Sequence, residues 1–433
     1  MPLPEEVVII GAGVFGLSTA LAFAKQSPST KVHVVDRFQP PVPDGTSTDT
    51  TRCLRYDYVN KTYAALAVEC MELIKDDPEI SPFFHQTGMT FVCDDTTEDK
   101  WYELWMSHLN SIRNINSPPC DLAFYNSPKD VFERIHGEPP TKDVLRWRRG
   151  YTNKRDGFID AAKSMGAYYK KCIRSGVNFT FAEVTEIVYN DTTAKGVRLG
   201  DDRVIEADLV IVAAGAWSCK LIDLGDMCKS TGIEVAWFKV TKEEEEKWAN
   251  MPITTNLSTG INIFPPYEGE IKCLRRSPGY KNTLTVKHPD PLRSDIVELS
   301  YPRTIVSHPN DWIPKEAEEA IRLNLREIMP SLSERPFDRT KLCWLTQTKD
   351  SNFIVDFHPD VKNVLITTGG SAHAWKFVPI LGDKVLDLLR GQLDPTLRQM
   401  WAWGRQGCDN SSAPRMEGQP PELSQVVRTV EEK

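Results

Sequence analysis

Apolar runs punctuated by glycine open the chain. Val7-Val8-Ile9-Ile10 is uninterrupted, as expected of a strand buried on both faces. Gly11-Ala12-Gly13-Val14-Phe15-Gly16 follows, and an Ala- and Leu-rich stretch over 15–26 predicts a helix that stops before Ser27-Pro28. Val32-His33-Val34-Val35 predicts a second strand, closed by Asp36. Residues 38–51 are rich in Pro, Gly, Ser and Thr and read as a long loop, which inside a compact domain is usually functional. Leu66, Val68, Met71, Leu73 and Ile74 recur at helical spacing and predict a helix over 62–76. Later patterns predict strands over 179–189, 207–217 and 364–368, a meander through 196–198, and helices over 317–329 and 378–389.

Between 231 and 310 the pattern changes. Short apolar runs at 233–240, 261–264 and 271–274 alternate with Pro and Gly, which suits an antiparallel sheet. The charge run Glu243 to Lys247 reads as a solvated helix face. From about Asn410 the chain is rich in Pro, Ser, Gln and Glu, and a mobile tail is expected. The resulting fold class is α/β: a discontinuous Rossmann-like nucleotide-binding domain plus an α+β substrate domain with a mainly antiparallel sheet. The expected segments are 1–90, 146–220 and 340–395 for the first, 91–145 and 221–339 for the second, and 396–433 as a C-terminal extension.

Composition narrows the partners. The 433 residues are 40% hydrophobic and 26% charged, with net charge −8. No basic surface dominates, which argues against nucleic acid and anionic membranes. No apolar stretch reaches the roughly 20 residues of a membrane span. The ten cysteines are dispersed, without Cys-x-x-Cys pairs or zinc spacing, so no metal site is expected and a reducing compartment is. With no Ser-Lys-Leu ending and no signal peptide, a cytoplasmic location is expected.

The chemistry begins at Gly11, Gly13 and Gly16. The first glycine allows the tight strand-to-helix turn, the second close approach to a pyrophosphate, and the third close packing of helix on strand. The helix N-terminus, with Val14 and Phe15, presents its positive end to phosphate. Asp36 follows Gly16 by 20 residues, where a carboxylate accepts hydrogen bonds from a ribose. The small residues Ala213-Ala214-Gly215 end a predicted strand where backbone would approach the same cofactor.

Together the blocks resemble the flavin-dependent amine oxidases of the monomeric sarcosine oxidase family, and within it the fungal fructosyl amino acid oxidases (amadoriases) and saccharopine oxidases. They are Gly11 to Gly16 with Asp36-Arg37; Thr51-Arg52-Cys53-Leu54-Arg55-Tyr56; Gly150-Tyr151 to Gly157-Phe158; Ala213 to Ser218; Gly269-Glu270-Ile271-Lys272; Leu342-Cys343-Trp344 with Phe353-Ile354-Val355-Asp356; and Gly369-Gly370-Ser371-Ala372-His373-Ala374-Trp375-Lys376. The resemblance implies FAD, joined covalently through Cys343, and adds Thr48, Thr51, Arg52, Val184, Trp217, Gly369, Gly370, Ala372, His373 and Lys376 to the cofactor contacts. It implies that Lys272 activates oxygen and that Arg55 and Lys376 hold a substrate carboxylate, as a fork and a point charge do. His373 also reads as a structural hydrogen-bonding residue. Ile271 and Cys273 predict a core behind Lys272, leaving its side chain on the other face.

The implied reaction is oxidation of a secondary amine on an N-substituted amino acid (saccharopine-like, fructosyl, pipecolate-like or N-methyl) to an imine, with O2 reduced to H2O2, by a monomer. An FAD-dependent amine dehydrogenase and a tailoring oxidase of secondary metabolism are the alternatives. Departures from the family pattern concern the substrate pocket. Thr48-Asp49-Thr50 replaces a histidine-rich segment, Leu345 replaces a tyrosine, and Trp375 stands where a smaller aromatic is usual.

Overall fold

The computed structural model describes residues 3–94, 99–113, 121–140, 147–290, 293–406 and 418–432. Two large sheets organise them. The first is six-stranded, built around β1 (Glu6–Ile10), α1 (Val14–Gln26) and β2 (Lys31–Asp36). β1 pairs in parallel with β2 on one side and with Leu209–Val212 on the other, so Ile10 stands between Val35 and Val212. Asn178–Phe181 extends the sheet beyond β2, and Val364–Thr368 beyond Leu209–Val212; both are parallel. Ile354–Phe357 closes the far edge as an antiparallel strand. β1 is buried throughout its apolar run, as a sheet covered on both faces requires.

The fingerprint glycines do mechanical work. Gly11 has φ +104°, and a Cβ there would lie 2.5 Å from the Ala213 carbonyl oxygen. A Cβ on Gly16 would lie 1.8 Å from the Gly11 carbonyl oxygen, so only glycine lets α1 rest on the turn. Across α1 lies the helix Val378–Arg390, where a Cβ on Gly382 would meet the Ser18 carbonyl at 2.1 Å.

The second sheet has eight strands, ordered Arg339–Thr348, Cys228–Lys239, Glu270–Arg275, Ile261–Ile263, Ile253–Asn256, Met89–Asp94, Trp147–Asn153 and Leu122–Tyr125. All its pairings are antiparallel except Ile253–Asn256 with Met89–Asp94. Trp147–Asn153 and Arg339–Thr348, expected with the nucleotide-binding segments, thus pair into the antiparallel sheet. Strand Arg339–Thr348 runs alongside Cys228–Lys239 over ten residue pairs, and this ladder decides its place.

Two sequence expectations are corrected. The strand expected over 179–189 is two strands, Asn178–Phe181 and Val184–Asn190, in different sheets. The chain changes sheet at Ala182, whose N–H donates to the Asp36 carbonyl. The tail expected to be mobile is docked over 418–432. Leu423 is fully buried, Glu422 accepts from Thr283 N–H at 3.0 Å, and Arg428 pairs with Glu318 at 2.7 Å while Arg428–Thr429 forms a short ladder with Asp311–Trp312. One apolar anchor and a few main-chain bonds offset the polar composition.

Candidate active site

One cavity runs between the two sheets. At one end it is walled by Gly11, Gly13, Val14, Phe15, Asp36, Arg37, Val184, Ala214, Gly215 and Trp217. At the other it is walled by Arg52, Arg55, Cys343, Gly370, Ala372, His373 and Lys376, with Thr48 on the loop between. Sequence reading therefore named residues from both ends. Four named residues stand off the wall: Gly16, Thr51, Gly369 and Lys272. Gly16 serves the packing of α1, and a Cβ on Gly369 (φ +71°) would lie 2.7 Å from Thr348.

At the glycine end Asp36 is anchored, its Oδ2 accepting the Ala12 N–H at 2.7 Å and its Oδ1 the Phe38 N–H at 3.3 Å. Burial raises its pKa from the ordinary carboxylate value, against these bonds. Arg37 lies 4.5 Å over the Trp217 ring. The loop 38–51 crosses the mouth of α1: Ser47 Oγ accepts the Val14 N–H at 3.0 Å and the Ser47 carbonyl accepts Trp375 Nε1 at 3.0 Å. The Thr48 hydroxyl is buried without a partner. A buried polar atom in that state costs free energy unless a ligand meets it.

The other end is dominated by positive charge. Lys272 is 2% exposed, with Ile271 and Cys273 facing the core as alternation on the strand requires. Its Nζ donates to Asp49 Oδ2 at 3.2 Å and to the Thr51 carbonyl, and it lies 4.2 Å from the centre of the Phe264 ring, which lines the cavity. Burial pulls its pKa down to about 8, partly offset by Asp49. Asp49 also pairs with Arg52 and lies 4.0 Å from Lys341 Nζ. These cations hold its carboxyl well below the usual range despite burial. One buried carboxylate thus serves three cations. Arg52 also reaches the Cys343 sulfur, at 3.4 Å.

Arg55 lines the cavity. It is 3% exposed, stacks 4.5 Å over the Tyr58 ring, and leaves Nη1 without a hydrogen-bond acceptor. Lys376, equally buried, donates to Tyr58 Oη at 2.7 Å and to the His373 carbonyl at 3.3 Å. Burial and the Arg55 charge lower its pKa well below the ordinary lysine value. His373 Nε2 faces the Ser351 carbonyl at 2.7 Å, so that nitrogen carries the proton and Nδ1 accepts from Tyr58 at 3.1 Å. The ring is packed among Tyr63, Phe353 and Phe377. His373 is therefore a clamp on Tyr58, and through it on Lys376.

Residues that sequence reading passed over complete the site. Asp49, seen only as a departure from the family's histidines, is the counter-ion of Lys272. Tyr58, Cys53, Asn262, Phe264 and Arg276 join the same end. A signal for Arg276 existed: 272, 274 and 276 share one face under strand alternation, and Leu274 and Arg276 do line the cavity.

An α/β nucleotide-binding sheet joined to an antiparallel sheet, with one cavity between them, defines a dinucleotide-dependent oxidoreductase. The chain belongs to the family of FAD-dependent oxidoreductases, whose model matches residues 6–388. It is 26% identical over 414 residues to an L-saccharopine oxidase of Schizosaccharomyces pombe, covering 93% of each chain. It is 28% identical over 473 residues to an amino acid oxidase of Aspergillus fumigatus, covering 90% of this chain and 93% of the other. Among solved structures, a fructosyl peptide oxidase from E. terrenum aligns with TM-score 0.87 and 25% identity over 98% of this chain and 97% of the other. The residues at the glycine end fit the cofactor of this family: FAD would lie along Gly11 to Phe15, with Asp36 and the unpartnered Thr48 hydroxyl among its neighbours.

Proposed function

We propose that the protein is an FAD-dependent oxidase of secondary amines carried on N-substituted amino acids, yielding an imine and reducing O2 to H2O2. The observation that carries this reading is the end of the cavity where Arg55 and Lys376 stand beside Cys343, with the Asp49–Lys272 pair behind. FAD supplies the two-electron acceptor when bound. The chain supplies orientation, charge and the exclusion of water.

Arg55 offers a guanidinium edge with a free N–H, and Lys376 a point charge fixed by Tyr58. Together they would seat a substrate carboxylate and so fix the carbon beside the amine. No general base is required of the chain if the amine arrives neutral, and the local positive charge favours the neutral amine. Lys272 would stabilise the negative charge that develops on oxygen. Asp49 and the surrounding burial tune how much of that charge is present near neutral pH. Cys343, whose sulfur Arg52 reaches, would be the point of covalent attachment of FAD.

The similarity to a saccharopine oxidase and to fructosyl peptide oxidases supports an amino-acid-borne amine as substrate. The test is oxygen uptake with peroxide assay on saccharopine, a fructosyl amino acid, pipecolate and sarcosine. One of them giving equimolar uptake and peroxide supports the proposal. Substrate-dependent reduction of an artificial electron acceptor, with no oxygen uptake, would establish a dehydrogenase instead.

A further inference from the structure

Arg275 ends the strand that carries Lys272 and Arg276 follows it, and their environments are opposite. Arg275 faces outward and is saturated: it pairs with Glu234 at 2.5 Å and with Glu316 at 2.6 Å. Arg276 faces the cavity, half-buried at its wall, and its side-chain partner is the Cys53 thiol. Burial and the nearby Arg55 charge pull its pKa down to about 10, so it remains charged at neutral pH. Among the described residues no carboxylate lies within 4 Å of Arg55, Arg276 or Lys376. Asp57 and Asp156 interact with each other. Asp57 is already engaged by Tyr151 at 2.6 Å and Asn153 at 3.2 Å. Burial and the Asp57 charge push the Asp156 carboxyl well above its ordinary value. His108, fully buried with neither ring nitrogen bonded, is held neutral by burial and by the charges of Arg55 and Arg276. Arg55, Arg276 and Lys376 thus gather at one end of the cavity with no carboxylate in ion-pair reach of any of the three among the described residues.

One carboxylate accounts for Arg55 with Lys376, and the Arg276 fork is left over. We propose that Arg276 is a specificity-determining residue that binds a second carboxylate, so that the substrate is a secondary amine carrying at least two carboxylates. This rests on the amine-oxidase reading above and narrows its substrate class. A guanidinium fork at a cavity wall, with a thiol and no carboxylate beside it, gains most when a planar anion enters, so the preference is for the dicarboxylate over the same chain with one acid.

The test uses the oxidised yellow holoenzyme, following the perturbation of flavin absorbance on titration with glutarate and with butyrate. Glutarate is expected to bind at least about tenfold tighter than butyrate, since a charge-assisted hydrogen bond contributes on that scale. In Arg276→Gln the ratio is expected to collapse to about two. Arg276→Lys, which keeps the charge and loses the fork, is expected to fall between them and serves if the glutamine variant does not fold. Equal binding of the two acids by the wild type overturns the assignment, as does an Arg276→Gln variant that weakens both equally. A parallel air-free mixing with sarcosine and saccharopine separates the two levels. If either amine bleaches the flavin while the acids bind equally, only the second-carboxylate assignment falls. If no secondary amine bleaches it, the amine-oxidase reading falls with it.

Discussion

Replacing Asp49 by Asn removes the single counter-ion of the Lys272 cluster while keeping the size of the side chain. Asp49 and Lys272 are both almost fully buried, and their charged atoms stand 3.2 Å apart. At an effective dielectric constant near 20, charges at that separation interact by about 5 kcal/mol, or about four pKa units before relaxation. Water entry and movement of Arg52 would return about half of this, leaving a shift of about two units. The Lys272 pKa, already pulled down to about 8, would then fall to about 6. At pH 7 the charged fraction drops from about nine-tenths to about one-tenth. If oxygen reacts against the Lys272 charge, reoxidation of the reduced enzyme at pH 7 slows about tenfold and recovers as pH is lowered through about 6. The sign follows from a depressed lysine pKa: the charge is present below the folded value and lost above it. In the wild type the same loss is expected as pH rises through about 8. The assay is stopped-flow reoxidation between pH 5.5 and 9.5, with Lys272→Met as the reference for no charge at all. An Asp49→Asn profile that overlays the wild type would refute the coupling. A thermal scan alongside is expected to show a stability loss of about 3 kcal/mol, because Arg52 is left buried with an unpaired charge.

Cys343→Ser is expected to release the yellow colour from the denatured chain into the acid-soluble fraction, whereas wild-type colour stays with the protein; release from both would refute attachment at this sulfur. Gly16→Ala places a Cβ 1.8 Å from the Gly11 carbonyl oxygen. It is expected to cost about 3 kcal/mol of stability and to lower bound FAD per mole of purified protein; unchanged flavin content and an unchanged melting curve would contradict the packing role of that glycine.

The nucleotide end of the cavity was legible because each residue there is demanded by backbone geometry. A turn at φ +104°, a helix touching that turn and a strand ending in small residues each leave a mark in sequence order. Lys272 was legible too, since alternation along one strand separates Ile271 and Cys273 from it. The same alternation extends to Arg276, but the strand's end and the adjacent Arg275 mask it. Only contacts show that one arginine is neutralised by glutamates and the other is not. Asp49 was not legible as a partner of Lys272, because 223 positions separate them and the pairing is made by a loop laid across the sheet. The placement of Arg339–Thr348 and Trp147–Asn153 was hidden for a similar reason. Strand pairing between distant segments is decided by register and burial, which local pattern does not carry. The docking of 418–432 depends on Leu423 and a few main-chain bonds within a polar stretch, too little apolar content to stand out.

The most direct measurement of the central claim is to mix the yellow protein without air with saccharopine, a fructosyl amino acid, pipecolate and sarcosine in turn, and to watch the flavin absorbance. Bleaching by at least one of these amines, reversed on admitting air with release of H2O2, is the expected result. Persistent yellow colour with all four and with other N-substituted amino acids, in a protein whose flavin dithionite readily reduces, would contradict the assignment as an oxidase of such amines.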